Sequence, residues 1–445
     1  MESSAKSEII EAIKSAGVVG AGGAGFPTHI KAASMAEYVI ANGAECEPLV
    51  RCNQELLLKE PEKVVAGLEL MVEATGAKQG IIAIKRKNKA AASLEKLAAE
   101  KEHLRIHYLK DFYPAGDEHV LVYEVTGRVV PEGGIPLAVG AVVSNVESLY
   151  NVAAAVGGQP VTDKMVTVTG AVQVPVTVRV PLGTAARELL ALAGGPTVTD
   201  YAVIEGGPMM GKLVEEDAPV TKTTGAFIVL PAEHPVVSAR RASWRTVLGR
   251  AKAVCCQCRF CTDLCPRYLL GHGLEPHRVT QLVAYGIADA TAMTRALLCS
   301  ECGLCEAYAC PMGLSPRYLH AELKRELGRQ GIKHPGGLPE VLRPDPWREY
   351  RRVPVPRLVA RLGLAQFDRP APFQPVSMSP ASVTIPLKQH VGLPCVPTVS
   401  VGERVSKGQV VGTIPEGSLG AVLRASMDGL VTEVTDRDIT IEALA

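Results

Sequence analysis

The chain has few aromatic side chains: Phe, Trp and Tyr make up 4% of its 445 residues, with two tryptophans in all. It also has no charge imbalance, since 47 Lys and Arg stand against 46 Asp and Glu for a net charge of +1. A balance of this kind offers no broad basic face, so no nucleic-acid partner is expected. Long apolar runs are missing too. No window approaches roughly 18 uninterrupted apolar residues, so no transmembrane segment is expected. The N-terminal "MESSAKSEIIEAIKSAG" is charged and amphipathic, without the apolar core of an export signal. What remains is an ordinary globular composition, 47% hydrophobic and 21% charged. Its length calls for several domains, because single cores stop growing at about 250–300 residues.

Cysteine is where the sequence departs from the ordinary. There are twelve, and five crowd into "VCCQCRFCTDLCPRYLL", residues 254–270. Cys255, Cys258, Cys261 and Cys265 form a C-x2-C-x2-C-x3-C-P run, and Cys299, Cys302, Cys305 and Cys310 form a second that is also closed by proline, with a last gap of four residues. Paired runs of this form predict a two-cluster ferredoxin module, in which the fourth cysteine of each run ligates the other cluster. One 4Fe–4S cluster is therefore assigned to Cys255, Cys258, Cys261 and Cys310, and the other to Cys299, Cys302, Cys305 and Cys265. Zinc would call for two C-x-x-C pairs and leaves the third cysteine and the C-P ends unexplained. Cys46, Cys52, Cys256 and Cys395 are expected to be plain buried thiols. Cluster cysteines without export or membrane signals point to a reducing cytoplasm.

Along the chain, residues 8–16 read as a helix, followed by "GVVGAGGAGFPTHIKAA". Gly20, Gly22 and Gly25 match G-x-G-x-x-G, but a helix precedes them and Phe26-Pro27 intervenes, so this is not a standard Rossmann turn. The loop reads equally as a ligand cradle or a simple turn. Residues 38–109 then alternate strand and helix, which predicts a parallel sheet covered by helices. Ligands bind such sheets at the carboxyl ends of the strands. The acidic stretches "ANGAECEP" and "DFYPAGDEH" fall there, although solvated, capped loops would read the same way. Residues 164–231 read as a small β-rich unit with one helix, 239–330 as helical, and 335–380, with ten prolines, as a strap over other domains. Residues 383–445 read as all β.

Taken together, "GAGGAGFPTHIK", "NGAECEP", "YPAGDEHVL" and "SNVES" resemble, in order, the FMN site of the NADH-oxidising subunit of respiratory complex I. They are more similar still to the RnfC/PduS family, which joins the C subunit of the Rnf complex to the cobalamin reductases of propanediol utilisation. The resemblance covers nearly the whole chain and implies a multidomain α/β architecture. Its parts would be an FMN- and NADH-binding parallel-sheet domain (1–160), an SLBB-type β-grasp domain (161–236) and a helical two-cluster ferredoxin domain (237–330). A Pro-rich strap (331–380) and a C-terminal all-β barrel-sandwich hybrid (381–445) would follow. No lysine sits in a carrier-type attachment turn, so the last domain is expected to be structural.

Residue by residue, the resemblance implies that Gly20, Gly22, Gly23 and Gly25, with Lys31, hold the FMN phosphate and ring edge. Asn42, Glu45, Glu47, Tyr113, Gly116 and Glu118 would line the flavin site, Asn145 would contact the ribityl or phosphate, and Phe26 would lie near the nicotinamide of NADH. Complex I carries arginine at the position of Ala21 and aspartate at that of Ala44, which leaves the NADH contacts less secure than the flavin contacts. The implied function is an NADH-dependent oxidoreductase passing electrons through FMN and two 4Fe–4S clusters to an acceptor. Cobalamin is the first acceptor to consider. The D-x-H-x-x-G corrinoid motif is absent, because Val122 replaces its glycine after Asp117 and His119, so cobalamin would be a transient substrate. His272 and His277 are read as structural rather than as cobalt ligands. The alternatives are the NADH-input subunit of a larger soluble reductase, such as a methylenetetrahydrofolate or proline reductase system, and a flavin-free ferredoxin-like carrier. A homo- or hetero-oligomer is expected, in the cytoplasm or, by analogy, in a bacterial microcompartment.

Overall fold

The computed structural model describes residues 2–336 and 342–444. Residues 337–341, within the expected strap, lie outside them. The N-terminal region is built on four parallel strands in the spatial order Leu104–Leu109, Gln79–Lys85, Tyr38–Gly43 and Ala141–Asn145. A parallel sheet covered on both faces needs continuous apolar strands, and Ile81, Ile82, Ala83 and Ile84 are all fully buried. Ile82 and Ile84 pack with helices Pro61–Thr75 and Val146–Val156, whereas Ile81 and Ala83 pack with helix Glu118–Thr126. The first two helices come close because Gly67 has no side chain; a Cβ there would stand 1.9 Å from the Leu149 carbonyl oxygen.

The sheet grows outward from Tyr38–Gly43 in both directions, so the strand order reverses beside it. That reversal opens a crevice at the carboxyl ends of the strands. Asn42 and Asn145 are register partners at that end.

The second sheet has five strands, in the order Val176–Pro181, Asp163–Gly170, Ala226–Pro231, Tyr201–Glu205 and Lys212–Val214, with helix Ala186–Leu192. Helices from Trp244 to Arg329 carry the cysteine runs. The C-terminal strands form sheets of four and three around Val383, Ile385, Val411, Leu423, Val431 and Ile439. The proline-rich segment joins the first two units. Val353–Pro354 pairs antiparallel with Phe112–Tyr113, and the amide of Gln374 donates to Thr177 at 2.9 Å. No helix among the described residues is long and apolar enough to cross a membrane.

Candidate functional site: a flavin crevice joined to two cysteine cavities

The glycine loop closes on itself. The Gly20 amide donates to Phe26 at 2.9 Å, and the Gly25 amide donates to Gly20 at 3.1 Å. It lies against the strand end at Asn145, where a Cβ on Gly22 would stand 3.2 Å from Asn145 Nδ2. Gly23, at φ +116°, has nothing within 4 Å of where its Cβ would be, so its backbone is open to a ligand. Lys31 donates to the Val143 carbonyl at 2.7 Å and to Glu118 at 3.2 Å, and its ammonium stands 6.0 Å from the Phe26 ring centre. Asn42 donates to the Gly116 carbonyl at 2.9 Å. Gly116 itself sits so close to Ala44 and Cys46 that a Cβ would stand 3.4 Å from both. Gly20, Gly22, Gly23, Phe26, Lys31, Asn42, Gly116, Glu118 and Asn145 thus meet at the crevice. A side-chain-free backbone with an adjacent cation suits a phosphate-bearing ligand such as FMN.

Four residues expected at the same site have other partners. The Gly25 carbonyl accepts from Val391 at 3.0 Å, and a Cβ on Gly25 would stand 3.0 Å from His390 Cα, so Gly25 seats the C-terminal domain. Glu45 accepts from the Asn53 and Gln54 amides at 2.7 and 3.3 Å, capping helix Cys52–Lys59. Glu47 accepts from the Met209 and Met210 amides at 3.0 Å each, in a space that exists because Gly207 has no side chain. Burial pushes its carboxyl up to about 7, against the pull of those two amides. Tyr113 is 2% exposed and donates to the Cys302 carbonyl at 2.8 Å.

The cysteines gather as two sets of four. Cys265, Cys299, Cys302 and Cys305 line one cavity, and Cys255, Cys258, Cys261 and Cys310 line another together with Cys256. Among the described residues, no three His, Cys, Asp or Glu side chains converge tightly enough to hold a single metal ion. Four thiols around one cavity are the donor set that an iron–sulfur cluster takes. Burial, opposed in part by backbone amides at Cys265, raises Cys261 and Cys265 to about 12, so bare thiolates are disfavoured there and bound iron would offset that penalty. Amides of Glu301 and Leu314 already donate to the sulfurs of Cys299 and Cys310, at 3.3 Å each. Gln257, Arg259 and Glu301 adopt positive φ between the cysteines, a strained bend that turns the chain around each cavity.

The first cavity is proximal to the flavin crevice and the second is distal. Arg267, which follows Cys265-Pro266, forms a 3.0 Å ion pair with Asp117, the N-cap of helix Glu118–Thr126. Sequence reasoning missed this pair, although a cap aspartate and an arginine beside a cluster run were both visible. Cys265, Cys302 and Cys305 are buried, whereas Cys258 and Cys256 are exposed. Cys256 is exposed although it also borders the distal cavity, and Cys46 is only partly buried, which corrects the expectation of buried thiols at both. His272 is 2% exposed and bonds to the Val130 carbonyl at 2.9 Å, while His277 bonds to Thr262 at 2.8 Å, so both are engaged within the fold.

Residues 13–154 match the Nuo51 FMN-binding domain, 165–213 the SLBB domain, 254–315 a 4Fe–4S dicluster domain and 372–443 the RnfC barrel sandwich hybrid domain. The cobalamin reductase PduS of Salmonella typhimurium is 46% identical over 438 residues, 98% of this chain and 96% of its own length. The chain belongs to the PduS cobalamin reductase family. PduS of Citrobacter freundii is 45% identical across 97% of this chain and 96% of its own. A more distant relative of the PduS family, the C component of the Na+-translocating ferredoxin:NAD+ oxidoreductase complex of Acetobacterium woodii, is 33% identical over 58% of this chain and 57% of its own. An NAD+-reducing NiFe hydrogenase in the H2-reduced state aligns with 74% of this chain and 63% of its own at 26% identity, with a TM-score of 0.48. As a PduS-family member with these domains, the chain is a multidomain α/β oxidoreductase that uses FMN and 4Fe–4S chemistry in NADH-linked electron transfer. The resemblance read from the four glycine-loop and acidic motifs therefore holds.

Proposed function

We propose that the protein oxidises NADH and delivers the electrons to cobalamin. The observation that carries this reading is the double contact between the flavin-side loop and the proximal cysteines, Tyr113 to Cys302 and Asp117 to Arg267. When bound, FMN accepts a hydride from NADH, and the clusters carry electrons singly. The chain's own residues bind, orient and exclude. Gly22 and Gly23 would offer bare backbone to the FMN phosphate, with Lys31 and Asn145 beside it. Asn42, Gly116 and Glu118 would line the flavin site, and Phe26 would lie near the nicotinamide. Glu45, Glu47, Tyr113 and Gly25 brace that cradle against its neighbours. Cys265, Cys299, Cys302 and Cys305 hold the proximal cluster, and Cys255, Cys258, Cys261 and Cys310 hold the distal one, where exposed Cys258 marks the exit towards the acceptor.

The division at residues 160, 236, 330 and 380 belongs to the same reading, as does a reducing cytoplasm. The Salmonella typhimurium relative is named a cobalamin reductase, which supports the choice of acceptor. Val122 stands where the corrinoid motif has glycine, and Asp117 is engaged with Arg267, so cobalamin is read as a passing substrate. The test is anaerobic: add one equivalent of NADH to the FMN- and iron-reconstituted protein, then a cobalamin. Bleaching of the flavin and cluster bands, followed by their recovery as cobalamin is reduced, is the expected result. Bleaching that only a partner reductase protein reverses would reassign the acceptor, and no bleaching would reject NADH as donor.

A further inference from the structure

Two buried nitrogen groups in the proximal cavity lack partners. The ring of His320, on helix Pro316–Arg329, is fully buried, and neither Nδ1 nor Nε2 makes a hydrogen bond. The Pro276 carbonyl lies beside the ring, outside ordinary hydrogen-bond geometry. Arg267 Nε is buried without an acceptor, although the same guanidinium donates to Asp117 at 3.0 Å. Both side chains line the cavity ringed by Cys265, Cys299, Cys302 and Cys305, beside apolar Leu274, Pro266 and Pro276.

Orphaned buried donors are rare enough in folded chains that each calls for a reason. A guanidinium Nε–H can only donate, and an imidazole carries at least one N–H. Thiolate and sulfide sulfurs can only accept, so these donors and a cluster are complementary. The distal cavity is different. Its histidine, His277, is already bonded to Thr262, and the unpartnered group there is the hydroxyl of Thr280.

We propose that His320 and Arg267 Nε donate hydrogen bonds to sulfurs of the proximal cluster and raise its reduction potential above the value that burial alone would set. This rests on the reading that the cavity holds a 4Fe–4S cluster. Burial disfavours the added negative charge of a reduced cluster, whereas hydrogen bonds to its sulfurs and a nearby cation favour it. The distal cluster, near solvent, has less need of such donors. The two residues act through the cluster and are tuning residues rather than catalytic ones.

The test is an EPR-monitored redox titration of the full chain reconstituted with iron, sulfide and FMN, in which loss from the Cys302→Ala variant identifies the proximal signal. His320→Leu should shift the proximal midpoint to more negative potential and leave the distal midpoint in place. His320→Gln, which keeps an N–H, should recover part of the shift. Arg267→Lys keeps a cation for Asp117 but lacks Nε–H, and should shift the proximal midpoint in the same direction. Unmoved proximal midpoints in both His320→Leu and Arg267→Lys, with both clusters present, would overturn the proposal. Should His320→Leu fail to fold, wild-type protein labelled with 15N-histidine supplies the test. Pulsed EPR of the reduced proximal cluster should show coupling to the imidazole nitrogen and to a proton lost in D2O, and absence of both overturns the role of His320. Wild-type protein that binds iron for only one cluster would overturn the cluster reading itself, before any donor is tested.

Discussion

The phenol of Tyr113 donates a 2.8 Å hydrogen bond to the carbonyl of Cys302, joining segments 189 residues apart in the chain. One end of this contact belongs to the loop that borders the flavin crevice, and the other to a cysteine of the proximal cavity. Glu47 lies beside it, 3.4 Å from the same phenol, and is itself fixed by amides of the β-grasp unit. Three units of the fold therefore meet at one buried tyrosine, between the proposed donor and acceptor cofactors.

Tyr113→Phe removes the hydroxyl while keeping the ring. The Cys302 carbonyl then loses its buried donor, at about 1 kcal/mol of stability. In anaerobic stopped-flow mixing with NADH, flavin bleaching should keep its wild-type rate while cluster bleaching slows. Equal rates of cluster bleaching in the two proteins would show that the contact is structural and does not set the transfer.

Cys302→Ala separates the two halves of the reaction. The proximal cluster should be lost, with four fewer iron atoms per chain expected from the cubane stoichiometry. NADH should still bleach the flavin, and cobalamin reduction should fall to the background level. Loss of flavin reduction in a folded variant would show that the cluster supports the flavin site directly.

The glycine loop makes a finer prediction, because its glycines serve different neighbours. Gly22→Val drives a side chain into Asn145, 3.2 Å away at the Cβ position, and should release FMN with little change in iron content. Gly25→Ala forces a side chain onto a φ of +66° and towards His390 Cα, 3.0 Å away. The backbone effect alone is about 1–2 kcal/mol. That variant should loosen the C-terminal domain, seen as faster proteolysis there, before it weakens FMN binding. Equal FMN loss in both variants would mean that the loop acts as a single unit.

These distinctions mark how far the sequence could be read. The parallel strands were legible because burial on both faces demands unbroken apolar runs such as "GIIAIK", and Leu104–Leu109 is the stretch expected from its pattern. The expected cysteine sets line separate cavities, a grouping that the spacing of cluster ligands anticipates. The partners of Glu45 and Glu47 were not legible. A carboxylate beside a glycine-rich crevice reads as a ligand group, and only the fold shows that one caps a helix and the other meets the Met209 and Met210 amides. The exposure of Cys256 was not legible either, since it depends on how the folded chain bends around the distal cavity. Long-range pairs such as Asp117 with Arg267 leave no periodic signal in a single chain.

Glu47 carries the last prediction, and its sign follows from burial. Its carboxyl is raised to about 7, above the ordinary carboxylate value, so the folded protein holds a proton that the unfolded chain has already released. Between the ordinary value and about 7 the unfolded state binds fewer protons than the folded state, and stability falls as pH rises through that window, then levels off. Glu47→Gln cannot titrate and lacks this fall. It also presents one acceptor where Met209 and Met210 need two, so at pH near 5 it should be less stable than the wild type by about 1 kcal/mol. The gap should narrow or reverse by pH near 8, where the wild type has a buried charge. Anaerobic thermal melts of both proteins at the two pH values measure it. A gap that is the same at both would mean that Glu47 does not change protonation in this range.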